Sequence, residues 1–224
     1  MDVTTSGLTK AAGAAAATAG AIFIAVQINH PGSDEFTTET TQWVARSCAK
    51  AVMAALALAG LTGIYLRQRR QSGLLGLVSY LVFAAGYLCI FSVEMIAATV
   101  LPGLIHSNPA FVDDVVAAAN GGTTDLGHLQ ALFNLAGIGF LLGGLLFGIA
   151  TYRAGVLARW AAALLALATA GTVALAVLPE SFNRPFAVPT GIALIGLGVS
   201  LWRNSSDDVA PVVSADPALE PVAR

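Results

Sequence analysis

Residues 126–152 read LGHLQALFNLAGIGFLLGGLLFGIATY, with no acidic residue, lysine or arginine among them. At about 1.5 Å per residue this stretch makes a helix roughly 40 Å long, longer than the ~30 Å hydrocarbon core of a bilayer. A helix that is apolar on every face belongs in lipid or deep in a core. The tandem motifs Gly139-x-x-x-Gly143 and Gly144-x-x-x-Gly148 offer small residues where another helix backbone can approach. Such motifs suit an oligomer contact as well as packing within one chain, and packing within the chain is expected. The stretch predicts a membrane span with a central place in its bundle, against which the Ala- and Gly-rich first and fifth spans pack.

Five more apolar stretches flank it, at 11–28, 44–66, 74–101, 161–178 and 186–202, the last being the shortest. The reading is all-α, a polytopic transmembrane helical bundle of six spans. Composition agrees. Of the 224 residues, 56% are hydrophobic and 11% charged, and the mean hydropathy is +0.76. Soluble domains carry about 25% charged residues, so lipid must cover much of this surface. The net charge of −2 gives no basic excess, and nucleic acid is not an expected partner. Cys48 and Cys89 lie in separate apolar runs without metal-binding spacing and are read as small apolar fillers.

Lys and Arg collect on one side. Arg67, Arg69 and Arg70 follow the second span, Arg153 and Arg159 follow the fourth, and Arg203 follows the last. Residues 29–42 and 103–125 hold acidic residues but no Lys or Arg. Positive loops stay in the cytoplasm, so both ends are expected inside, in a multi-pass protein of the cell membrane. Lys10 alone makes a poor signal-peptide n-region, so an uncleaved first span is expected. Residues 204–224, rich in Pro, Ala and Asp, read as a disordered cytoplasmic tail. In the second outer loop, Asn108 and Pro109 start a short amphipathic helix and Gly121-Gly122 end it, forming a lid over the bundle.

Polar groups in the spans concentrate near the outer side. Intramembrane ionisable residues are costly and therefore informative. Glu94 is read as a candidate acid or base, with an ion pair to Arg46 or Lys50 as the structural alternative. His128 with Asp125 forms a second catalytic candidate. Arg46, Gln130, Asn134 and Tyr87 are candidate substrate contacts, Gln130 and Asn134 sharing a helix face one turn apart. His30 and His106 read as loop histidines. No His-x-x-x-His spacing is present, and neither metal nor cofactor is expected.

The stretch 132–171 resembles a family of small six-span bacterial membrane proteins without assigned activity. The resemblance rests on Leu146-Phe147-Gly148 and on the basic turn Tyr152-Arg153-Ala154-Gly155-Val156-Leu157-Ala158-Arg159, where Ala158 stands for the proline usual in that family. It implies a six-span fold and no activity.

Three functions fit these residues. One is an enzyme doing acid–base chemistry, isomerase- or cyclase-like, on a hydrophobic small molecule that arrives from the outer leaflet. Another is an accessory subunit whose polar layer pins the helices. The third is a binding or transport protein. The first is the expected reading, with membrane lipids and a hydrophobic small molecule as partners.

Overall fold

The computed structural model describes residues 4–32, 36–119, 122, 126–176, 178 and 183–205. Seven α-helices account for most of them: α1 Thr5–Ala25, α2 Thr40–Thr99, α3 Leu101–Leu104, α4 Pro109–Ala119, α5 His128–Ala154, α6 Arg159–Gly171 and α7 Asn183–Arg203. A 3₁₀ segment, Thr172–Ala176, continues α6. Among the described residues there is no strand. Four of the helices, α1, α2, α5 and α7, are long and apolar enough to cross a membrane.

Local chemistry sets the helix ends. Thr4 caps α1, its side chain accepting from the Gly7 N–H at 3.0 Å. At the far end of α5, Gly155 takes the left-handed conformation that most residues avoid, and its N–H closes on the Thr151 carbonyl.

The 60 residues of α2 are two antiparallel limbs. The reversal is Gly73, at φ 57° and ψ −148°, a conformation essentially reserved for glycine. The helix-favouring run Arg67–Ser72 carries the first limb right up to it, so no loop intervenes. Contacts across the hairpin fix its register. Tyr65 and Tyr80 stack at 4.9 Å, Thr62 and Tyr80 share a hydroxyl hydrogen bond of 2.9 Å, and Lys50 meets Glu94 further along.

Small residues set the remaining contacts. At Gly86, an added Cβ would lie 2.6 Å from the Gly139 carbonyl carbon, so α2 and α5 touch backbone to backbone. Gly143 abuts Phe83 on the same side of α5, while Gly144 and Gly148 receive Thr169 and Ala166 of α6. All four motif glycines are thus occupied within the chain. The expectation that the first span packs on the fourth is corrected. Helix α1 lies mainly against α7 and the first limb of α2, because Gly13 and Gly20 face Gly198 and Gly191, and Ala16 meets Gly60. Its link to α5 is an edge contact of Phe23 with Phe140.

The fifth apolar stretch is helical in two parts. Over 161–178 the α-helix stops at Gly171 and the chain continues as the tighter 3₁₀ turn, where the Thr172 hydroxyl donates back to the Thr169 carbonyl. The shortest long element is therefore α6, and α7 is a full 21 residues despite Pro189 inside it. Large side chains at the centre, among them Phe83, Tyr87, Phe147 and Met53, are fully buried. The perimeter is apolar and open. Leu167 is 71% exposed and Leu135 58%, a surface that needs lipid rather than water around it.

At the end away from Gly73, a second cluster forms. Val112 and Val115 of α4 are buried with Phe36 and Leu101. Asn108 accepts from the Phe111 N–H at 3.4 Å, as expected for the start of this helix, and α4 packs against Phe36, Leu101 and Phe133 at that end.

Candidate functional site

Beneath α4 is a cavity of about 390 Å³, within the range of small-molecule sites. It forms where two helices fall short. Helix α1 ends at Ala25, and α6 gives way to the 3₁₀ turn, whose Thr172 and Leu175 line one wall. Trp43, Ser47 and Lys50 come from the first limb of α2, Val93, Glu94 and Ala97 from the second. Helix α7 adds Arg184 and Thr190, and α4 closes the top with Val115, Val116 and Ala119. A wider cleft of about 1160 Å³ adjoins it on the flank between the second limb of α2 and α5. The two spaces share Phe23, Val93, Glu94, Ala119, Phe133 and Phe140. Gly137, Ile138 and Leu142 along the cleft are exposed, so it opens to whatever surrounds the bundle.

Glu94 sits where both spaces meet. Its Oε1 lies 3.5 Å from Lys50 Nζ, with the two side chains 14% and 19% exposed. Lys50 also stands 5.8 Å from the Trp43 ring centre. His30 packs edge-on to Trp43 at 4.7 Å, and its Nδ1–H donates to the Pro31 carbonyl. Burial pushes the His30 imidazole down to about 4, and the charges of Lys50, Arg184 and Arg46 push the same way against the Pro31 bond. The ring is therefore neutral near pH 7. Arg184 donates from Nη2 to the same Pro31 carbonyl at 2.7 Å, which holds its guanidinium at the cavity wall.

The expected site residues divide. Glu94 lines both spaces, and Gln130 and Asn134 line the cleft, joined by a 3.1 Å bond from Gln130 Nε2 to Asn134 Oδ1. Among the described residues Gln130 Oε1, buried at the cleft wall, has no hydrogen-bond partner. His128, first residue of α5, is exposed and lines neither space. Arg46 is engaged elsewhere, donating to the Val26 carbonyl at 2.8 Å and the Asn29 carbonyl at 2.9 Å, where it ends α1. Tyr87 is buried against Phe83 and Phe140, its hydroxyl without a partner among the described residues, and it too lines neither space. Asp125 lies outside the described residues, as do Asp34, Glu35, Glu180 and the tail from 206 onward.

Several lining residues were missed from the sequence. Trp43 and Ser47 share one helix face with Lys50, at i, i+4 and i+7, a spacing that singles them out beside that lysine. Thr172 and Thr190 had no such signal. A polar contact was also missed near Gly73, where Gln68 Nε2 donates to Thr151 Oγ1 at 2.7 Å, both residues buried. Among the described residues, no three His, Cys, Asp or Glu side chains gather as a metal site requires.

No protein-family model matches this chain, and neither a curated protein nor a solved structure matches it.

Proposed function

We propose that this is a six-span protein of the cell membrane that binds a hydrophobic small molecule at its outer side, reached from the bilayer through the cleft between α2 and α5. The observation that carries the reading is the Lys50–Glu94 pair at the junction of a roofed cavity and a flank cleft. An ion pair in apolar surroundings costs desolvation, and a pair set against a cavity has a use beyond tying two limbs together. Six spans are favoured by the reversal at Gly73, which makes two crossings of α2, and by the 3₁₀ extension of α6. The resemblance of 132–171 to a six-span family fits the same count. The Arg-rich Gly73 end is assigned to the cytoplasm by the positive-inside rule.

Two measurements test this. Solvent extraction of the purified protein, followed by mass spectrometry, should yield one apolar species in fixed ratio to protein. Val93→Trp, at the junction, should displace it; extraction of bulk lipid alone from both proteins overturns the reading. For orientation, in a variant lacking Cys48 and Cys89, a cysteine at Arg69 should label only from the cytoplasm and one at Gly103 only from outside.

Acid–base chemistry on the bound molecule is the second reading, favoured by the position of Glu94 on both spaces. Paired with Lys50, Glu94 presents an acceptor and would serve as the base. Glu94→Gln should then abolish turnover while the molecule still binds.

A further inference from the structure

We infer that the cavity takes the hydroxyl end of an uncharged long-chain alcohol. His30 Nε2 accepts the hydroxyl proton, Ser47 and Thr190 donate to the oxygen, and the chain lies in the cleft between the second limb of α2 and α5. This rests on the binding reading above and specifies the class of ligand.

The head is assigned by the neutral polar groups of the cavity wall. In a membrane helix a serine or threonine hydroxyl commonly returns to the carbonyl one turn back. Thr62, Ser92, Thr99 and Thr169 do so, at 2.6–3.0 Å. Ser47 and Thr190 make no such bond among the described residues, although each is only 1% exposed. Both line the cavity, one from α2 and one from α7. His30 joins them from the segment between α1 and α2. Its Nδ1–H is engaged by the Pro31 carbonyl at 2.9 Å, so in the neutral ring Nε2 carries a lone pair and can only accept. The same ring rests edge-on against Trp43, whose indole N–H is buried with no acceptor among the described residues.

A head group that answers His30 must donate, and one that answers Trp43 must accept. A hydroxyl does both through one oxygen. A carboxylate has no proton for His30, and an ammonium has no lone pair for the indole N–H. Either ion would also bring a lone charge to a wall where Lys50 and Glu94 already pair at 3.5 Å.

The chain is assigned by shape. Phe133 and Phe140 border both spaces, and Ile138, Leu141 and Leu142 carry the cleft on as an apolar trough. From Phe133 to Leu142 α5 rises about 14 Å. Gly137 widens the trough, since a side chain there would touch nothing within 4 Å. The trough follows the helix axis, so a chain lying in it keeps the direction of the neighbouring lipid tails while its hydroxyl comes under α4.

The test uses the full chain in phosphatidylcholine nanodiscs at pH 7, with radiolabelled tetradecanol as probe. Specific binding is the part that excess unlabelled tetradecanol displaces. Tetradecyl methyl ether, which accepts but cannot donate, competes for the site, as do myristate and tetradecylamine. The alcohol should bind at least about fivefold tighter than the ether, and tighter than either ion. His30→Phe should bring alcohol and ether to equal affinity. Ser47→Ala and Thr190→Val should weaken the two alike, by about three- to tenfold each. Gly137→Trp should weaken every compound. Thermal unfolding checks that each variant is folded, and the wild-type comparison of alcohol with ether stands whether or not the variants fold. Equal binding of alcohol and ether, a difference that survives His30→Phe, or tighter binding of myristate or the amine overturns the hydroxyl head while the binding reading stands. Undiminished binding in Gly137→Trp overturns the placement of the chain. If none of these compounds binds, the inference fails; it fails alone where extraction still yields an apolar species that Val93→Trp loses, and takes the binding reading with it where extraction yields bulk lipid only.

Discussion

Lys50 Nζ and Glu94 Oε1 lie 3.5 Å apart across the α2 hairpin, and Glu94 is the one acidic residue of the apolar stretch 74–101. Removing one partner leaves the other charged and poorly solvated. Lys50→Met or Glu94→Gln should each cost about 2–3 kcal/mol. The double variant Lys50→Met/Glu94→Gln should cost less than either, because no lone charge remains. Unfolding of the four proteins in one mild detergent gives the coupling. Additive losses would mean that the two groups do not interact.

The α2–α5 contact has its own signature. Gly86 and Gly139 meet so closely that a Cβ at Gly139 would stand 2.7 Å from the Gly86 Cα. Gly139→Val must push the helices apart and should destabilise by about 1–3 kcal/mol. Gly137 is two residues away with open space around it, so Gly137→Val should change stability by no more than about 0.5 kcal/mol. The comparison is read from thermal unfolding in the same detergent. Equal losses at both positions would assign the effect to helix propensity and not to the contact.

The contrast between those glycines also marks what the sequence could disclose. Apolar length is a strong signal, although α1 begins at Thr5, ahead of the expected 11, and the first limb of α2 runs past 66 to Gly73. The tandem glycines of α5 were legible as contacts, but which helix each one meets depends on packing that no local pattern encodes. That is why α1 was assigned to the wrong partner. Gly73 was hidden among Arg67–Ser72, whose residues favour helix strongly enough that the turn shrinks to one residue. In the site, Glu94 and Lys50 stood out because charges are conspicuous in apolar runs. Phe23, Phe133 and Thr190 did not, since an apolar or hydroxyl side chain reads the same whether it faces lipid, core or cavity.

Arg46 tests the separation of structure from binding. Its two donated bonds, to the Val26 and Asn29 carbonyls, end α1 and set a cation against the negative end of that helix. Arg46→Met should cost about 1.5–3 kcal/mol of stability. Arg46→Lys should recover only part of it, since an ammonium cannot span two carbonyls in the planar fork geometry. Binding of the hydrophobic molecule should be the same in all three proteins once each is folded. A selective loss of binding in a stable Arg46→Met protein would return Arg46 to the site.

His30 makes stability depend on pH, with a sign that follows from its burial. The imidazole is pushed down to about 4 in the folded protein, against 6.5 for a free side chain. Between those values the unfolded chain binds more protons than the folded one, so lowering the pH through this window favours unfolding. The full stability is present above about pH 6.5, and the penalty levels off below about 4. Carboxylates titrate in the same region, so the wild type alone cannot isolate the effect. His30→Phe keeps an aromatic edge on Trp43 but has no proton to gain. Its unfolding temperature should fall less than that of the wild type between pH 6.5 and 4, and the difference between the two curves should be flat above pH 7. Parallel curves across the whole range would show that His30 takes its proton as easily folded as unfolded, and that the loop beside Trp43 is open to water.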